Sequence, residues 1–169
     1  RTTVTFNVDG STDILYSDVA SGNRRTGFNT ITFRHALVKY SVMVYGTEET
    51  AGSVAGTWGQ IKSVTFKGMP NSCVLSLPEN STSLPAISSS GSGELQVTKT
   101  ADIPVGFSNA TEMGYRLAPA PSENVLNLSI ATTKQTIDNL NLSVSSSFQS
   151  GKHYKIYLRF SPEGVINAE

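Results

Sequence analysis

Ile31-Thr32-Phe33-Arg34-His35-Ala36-Leu37-Val38-Lys39-Tyr40-Ser41-Val42-Met43-Val44 decides how this chain folds. Ile31 and Phe33 place apolar side chains at odd positions, with His35 in the same phase, and Val38, Tyr40, Val42 and Val44 place them at even ones. Alternation with a period of two marks a strand with one buried face, whereas a helix repeats every ~3.6 residues. The inward phase slips by one near Ala36-Leu37. Such a slip would turn every following side chain to the opposite face, so a β-bulge or a break is required there.

The same period runs through the chain. Val4, Phe6 and Val8 alternate and stop at Asp9-Gly10, a turn dipeptide. Ile61 to Lys67 centres on Val64 and Phe66 and stops at Gly68-Met69-Pro70. Cys73 to Leu77, Glu94 to Thr98, the Tyr115/Leu117 pair, Leu126 to Ile130 and Leu140 to Val144 continue the series. Ile103 to Phe107 contains Pro104, which suits an edge or irregular segment. The last strand sets Tyr154, Ile156, Leu158 and Phe160 against His153, Lys155, Tyr157 and Arg159 on the other face. About nine to eleven short strands at this spacing predict an all-β sandwich or barrel. Residues 48–58 are compatible with a turn or short helix, which Gly52 and Gly56 weaken. Residues 78–93 and 108–123 read as long loops. Only about 50 residues follow the second, too few for an independent sandwich, so 1–169 is read as a single domain.

Thirteen basic and thirteen acidic side chains cancel. With no Lys/Arg cluster, the chain lacks the electrostatic footprint of a nucleic-acid or membrane-surface binder. Charged residues are 15% of the chain, below the roughly 25% of ordinary domains, and 23 Ser and 18 Thr take their place. A weakly charged, Ser/Thr-rich β-protein fits an exported domain. Cys73 is the single cysteine, so no internal disulfide forms, and its apolar run predicts a small buried hydrophobe. No stretch reaches the ~18 apolar residues of a membrane span.

No constellation for chemistry emerges: catalytic, cofactor-binding and metal residues are all read as none. His35 and His153 are far apart; His35 is expected to be buried and structural, His153 solvated. No serine sits in a Gly-x-Ser-x-Gly elbow. Asp9, Asp13 and Asp18 lack the spacing and terminal Glu of a calcium loop, and are read as turn acids. Glu48-Glu49 has no partner carboxylate pattern. Trp58, between Gly56-Thr57 and Gly59, either covers one end of the core or stacks on a sugar. In the second case Tyr16, Tyr40, Tyr45 and Tyr157 are further stacking candidates, and the chain is a carbohydrate-binding surface module.

Three stretches resemble a known family. Asp13-Ile14-Leu15-Tyr16-Ser17, followed by Phe33-Arg34-His35-Ala36-Leu37-Val38-Lys39, resembles the fimbrillin pattern of a "D-x-L-Y" segment before "F-x-H-A-L-x-K". Ile61 to Gly68 is similar to the next strand of that pattern. Gly151-Lys152-His153-Tyr154-Lys155-Ile156 is similar to its final "G-K-x-Y" hairpin, and Pro119 stands where the family often has a "P-Q". The usual Trp after the last strand is absent. The resemblance implies a transthyretin-like or immunoglobulin-like antiparallel β-sandwich. It also implies a fimbrillin-like (Mfa-like) stalk, tip or anchor subunit of a type V pilus, a cell adhesion fimbrium on the outer membrane of a Gram-negative bacterium. Export would be as a lipoprotein, with the membrane touched only through a lipid anchor. Partners would be other pilus subunits joined by β-strand exchange, together with host or bacterial surface ligands. Candidate exchange residues are Val4, Phe6 and Val8 at one end and Val165 and Ile166 in Val165–Ala168 at the other. Arg1 would suit an Arg-directed processing cut. Only about a dozen residues precede Asp13, which fits a short member or the C-terminal module of a longer precursor.

Overall fold

The phase slip at Ala36-Leu37 separates two strands in the computed structural model, which describes residues 2–18, 20, 22–27, 30–47, 51–79 and 85–168. In chain order the strands are β1 (Thr2–Asn7), β2 (Leu15–Ser17), β3 (Phe33–His35), β4 (Val38–Gly46), β5 (Ile61–Met69), β6 (Ser72–Leu77) and β7 (Ala86–Ser90). They continue with β8 (Gly93–Ala101), β9 (Thr111–Ala118), β10 (Val125–Thr132), β11 (Thr136–Ser143), β12 (His153–Phe160) and β13 (Val165–Ala168). Helix α1 (Ala51–Trp58) lies between β4 and β5. The predicted break is therefore a change of sheet: β3 pairs with β2 alone, while β4 is central in a larger sheet.

Two four-stranded sheets, β11-β10-β5-β8 and β13-β12-β4-β9, pack face to face as an all-β sandwich. Val38, Tyr40, Val42 and Val44 of β4 and Ile156, Leu158 and Phe160 of β12 meet Val64 and Phe66 of β5 and Leu128 and Ile130 of β10. Burial of each such side chain is worth about 1.5–3 kcal/mol. The pairings are antiparallel with one exception among the main ladders: β4 and β12 run parallel, His153 opposite Lys39 through Phe160 opposite Gly46. The expected all-β antiparallel sandwich is present, with this one parallel ladder inside it.

β5 and β8 continue into β6 and β7 as one bent ribbon. Met69 pairs with Gly93 and, past the bend, Ser72 pairs with Ser90. Gly68 (φ 68°) and Gly91 (φ 77°) take left-handed conformations at the bend, where a side chain would be strained. The outer half of the ribbon receives β1 on its β6 edge. A second small core of Ile14, Ala36, Leu37 and Cys73 lies beneath this corner, with Phe6, Val8 and Ile87 packed against it. Cys73 is buried as expected, and burial pushes its thiol up from the ordinary value.

Two expectations change. Residues 78–93 contain β7, a Ser-rich strand whose side chains are exposed apart from the half-buried Ile87; pairing to β6 forms it without an apolar period. Residues 108–123 contain β9, whose apolar phase is broken by a register shift where Val42 pairs with Gly114 and Met43 with Glu112. Pro104 does leave an irregular segment, a single bridge from Val105 to Gly46 followed by a 3-10 turn at Phe107–Asn109. The possible short helix at 48–58 forms as α1, with residues 48–50 outside the described residues. It ends at Gly59 (φ 69°), whose N–H donates to Ala55 O at 2.9 Å. The last carbonyls of α1 accept from Lys134 Nζ (2.5 Å to Gly56 O) and Gln135 Nε2 (3.1 Å to Thr57 O).

The Tyr40 ring is fully buried, and its hydroxyl has no hydrogen-bond partner among the described residues. Burial, and then the nearby Tyr154, pushes its phenol well above the usual tyrosine range. The folded state therefore holds this proton at a pH where the unfolded chain releases it. The contribution is fully present below about pH 10, where a free tyrosine ionises, and is lost as pH rises further. Tyr40→Phe is expected to remove that alkaline loss and to leave neutral-pH stability unchanged or raised by up to about 1 kcal/mol. Urea unfolding at neutral and alkaline pH measures both effects.

Candidate functional site at the terminal strands

β1 is an edge strand. Thr2 through Asn7 pair with Leu77 through Ser72, and the opposite edge of β1 carries no strand among the described residues. Val4 is 38% exposed, while Phe6 and Val8 are half-buried against the small core. Opposite Phe6 stands Cys73. The apolar alternation of this segment therefore has one side resting on the corner of the domain.

β13 is the other terminal edge. A tight turn, Ser161 N–H to Gly164 O at 2.9 Å, folds it back on β12. Its four residues pair with Tyr157 to Phe160 only. Residues His153 to Ile156 are held by β4 on one side and by no described strand on the other. Beside this open stretch runs a groove of about 340 Å³ between the two sheets, with Leu126, Leu142, Phe148, Tyr154 and Ile156 among its walls. Unpaired backbone N–H and C=O groups beside apolar walls are what an added strand requires: hydrogen bonds from the edge, pockets for alternate side chains.

The proposed exchange residues fall into separate sheets. Val4 and Phe6 lie on β1 with Val8 just beyond it, whereas Val165 and Ile166 lie on β13. Arg1 lies outside the described residues, as does the Glu48-Glu49 pair.

Trp58 is 3% exposed, its ring edge-on to Phe160 at 5.4 Å and its indole N–H donating to Ser161 O at 2.6 Å. No ring face is left for a sugar, so the glycan-contact expectation is corrected: Trp58 closes the end of the core. Tyr40 and Tyr45 are buried as well. His35 is not buried; its side chain is 59% exposed and its Nδ1 lies 2.5 Å from Asp13 Oδ2. Phe33 on the same strand and Ile31 just before it are exposed too: among the described strands, β2 and β3 pair only with each other. His153 is exposed on β12 as expected, with Nε2 2.8 Å from Ser41 Oγ.

The three aspartates near the start serve separately. Asp9 accepts from the Thr12 and Ser11 backbone and the Thr12 hydroxyl, which holds its carboxyl well below the usual range. Asp13 pairs with His35, and Asp18 with Arg34 at 3.1 Å.

Comparison with known proteins bears directly on this arrangement. The family model described as Fimbrillin-like matches residues 2–169. The chain belongs to the fimbrillin-like family. Among solved structures, this fimbrillin-like chain is similar to a candidate cell adhesion protein from Bacteroides uniformis, with TM-score 0.63 and 14% identity. That match covers 98% of this chain and 64% of the other. A second candidate cell adhesion protein, from Bacteroides ovatus, matches with TM-score 0.54 and 14% identity over 99% of this chain and 59% of the other. The fimbrillin-like chain thus spans somewhat under two thirds of the length of both. At this identity the likeness establishes the shared fold. No curated protein sequence matches the chain significantly.

Proposed function

We propose that this chain is a structural module of a bacterial surface pilus or adhesion assembly, joined to neighbouring subunits by strand exchange at its terminal edges. Membership of the fimbrillin-like family over the whole chain supports a pilus or adhesion subunit at the cell surface, a structural protein and not an enzyme. The observation that carries strand exchange is the half-covered edge of β12 beside its apolar groove. β13 continues in the direction of that stretch, so a longer strand in the same place would bond His153 to Ile156 and bury alternate side chains in the groove. β1, with Val4, Phe6 and Val8, is the donor or the exchanged strand at the opposite end. Anchoring to the outer membrane through lipid belongs to the same reading.

Truncation tests this. Removing residues 2–8 and residues 165–169 together is expected to weaken assembly with sister subunits by at least about tenfold, since several backbone hydrogen bonds of roughly 0.5–1.5 kcal/mol are lost. Size-exclusion chromatography reads assembly, and circular dichroism verifies that the sandwich remains. Assembly unchanged in the folded double truncation refutes exchange through these ends.

A further inference from the structure

The outer face of the β4–β12 sheet carries a pocket that strand exchange leaves unused. Its volume is about 380 Å³, within the roughly 300–1,000 Å³ of small-ligand sites. Four segments meet there and are stitched by backbone hydrogen bonds. Ala36 N–H donates to Ile14 O (2.8 Å), Leu117 N–H to Gly10 O (2.9 Å), Gly151 N–H to Leu37 O (2.9 Å) and Lys39 N–H to Lys152 O (3.0 Å). The walls are thus held in place before any ligand arrives, which lowers the ordering cost of binding.

The chemistry of the walls is cationic, aromatic and apolar at once. Lys39 Nζ lies 4.3 Å from the centroid of the Tyr115 ring, a cation–π contact that fixes its ammonium at the wall. Lys152 lines the pocket without an ion pair among the described residues. The acids nearby are engaged already. Asp13 Oδ2 lies 2.5 Å from His35 Nδ1, and Asp13 Oδ1 accepts from the Ile14 N–H, so this carboxylate is already held. Ser41 gives its hydroxyl hydrogen to Glu112 Oε1 at 2.9 Å, and His153 Nε2 lies 2.8 Å from Ser41 Oγ, so Glu112 is engaged as well. Leu37 and Leu117 supply apolar wall. Along the same face β12 presents Lys155, Tyr157 and Arg159, with the exposed Phe107 4.9 Å from the Tyr157 ring. Arg159 Nε is buried with no partner among the described residues.

We propose that this pocket binds an acidic saccharide, with Lys39 and Lys152 holding the carboxylate or sulfate of one sugar and the chain continuing along Lys155, Tyr157 and Arg159. Both edges of β4, the strand that carries Lys39, are paired, to β9 and β12, so β4 offers no backbone edge to an incoming peptide strand. Recognition falls to side chains. A sugar ring needs apolar or aromatic wall for its C–H faces and mixed donors and acceptors for its hydroxyls, and its acid group needs lysine or arginine. The pocket shares no lining residue with the groove beside β12, so binding at Lys39 and Lys152 is separable from strand exchange.

Titration calorimetry of the full chain with a hyaluronan tetrasaccharide (carboxylate), a heparin tetrasaccharide (sulfate) and neutral cellotetraose tests the proposal. At least one acidic oligosaccharide is expected to bind, more weakly as salt rises. Lys152→Ala and the Lys39→Met/Lys152→Ala pair are expected to weaken it by at least about tenfold, the scale of a lost charge-assisted hydrogen bond. Lys62→Ala, an exposed lysine on β5 in the other sheet, is expected to leave it unchanged. Lys152 follows a turn outside the core, so its variant gives a readout even if Lys39→Met perturbs folding. Equal binding of cellotetraose, unchanged affinity in the folded Lys152→Ala protein, or binding of poly-glutamate with none of any saccharide overturns the proposal.

Discussion

Replacing Phe66 with alanine is expected to lower the stability of this domain by about 3–5 kcal/mol. Phe66 is fully buried in the middle of β5, with Leu128 opposite on one neighbouring strand and Leu95 on the other. Its ring lies 5.8 Å from that of Tyr40, across the interface of the two sheets. Alanine removes the aromatic pair, worth about 0.5–1.5 kcal/mol, and leaves a cavity that flat, hydrogen-bonded strands close poorly. Domains of this size are stable by only about 5–15 kcal/mol, so the variant sits near its unfolding threshold. Phe66→Leu keeps most of the volume and is expected to cost less. Chemical denaturation of both variants checks the order, and a Phe66→Ala loss below about 1 kcal/mol contradicts the packing described.

Trp58→Ala is expected to have a comparable effect, again about 3–5 kcal/mol. Two losses add. The indole covers Phe160 at the end of the sandwich, and the Ser161 carbonyl loses its 2.6 Å donor. That carbonyl lies at the turn into β13, so the damage reaches the strand proposed for exchange. Trp58→Phe keeps ring packing and loses the hydrogen bond, which separates the two terms. Differential scanning calorimetry reads the loss as a lowered Tm. A Trp58→Ala protein with unchanged Tm would mean that the indole stands outside the core.

Much of the architecture was legible from alternation. Val38, Tyr40, Val42 and Val44 do face inward, and the break at Ala36-Leu37 does separate β3 from β4. The same rule misled at His35, because Ile31, Phe33 and His35 share a phase that stays exposed. Periodicity tells which side chains stand together, not whether a second layer covers them. β7 was invisible for the complementary reason: a serine strand formed by its neighbour's backbone has no apolar signature. β1 was legible as a strand and Val165–Ala168 only as an exchange candidate, whereas the open stretch of β12 and the basic pocket were not legible, since each depends on which segments meet in space.

The residues alone determined that this chain alternates into strands, where the phase must break, that a single thiol would be buried, and which family it joins. Only the tertiary structure decided partners: β12 beside β4 in parallel, one ribbon shared by two sheets, and Lys39, Lys152 and Tyr115 gathered around one cavity. The reason is physical. Every residue but proline offers a pairing strand the same backbone N–H and C=O, so side-chain order encodes the facing of a strand while its neighbours are chosen by how whole faces pack.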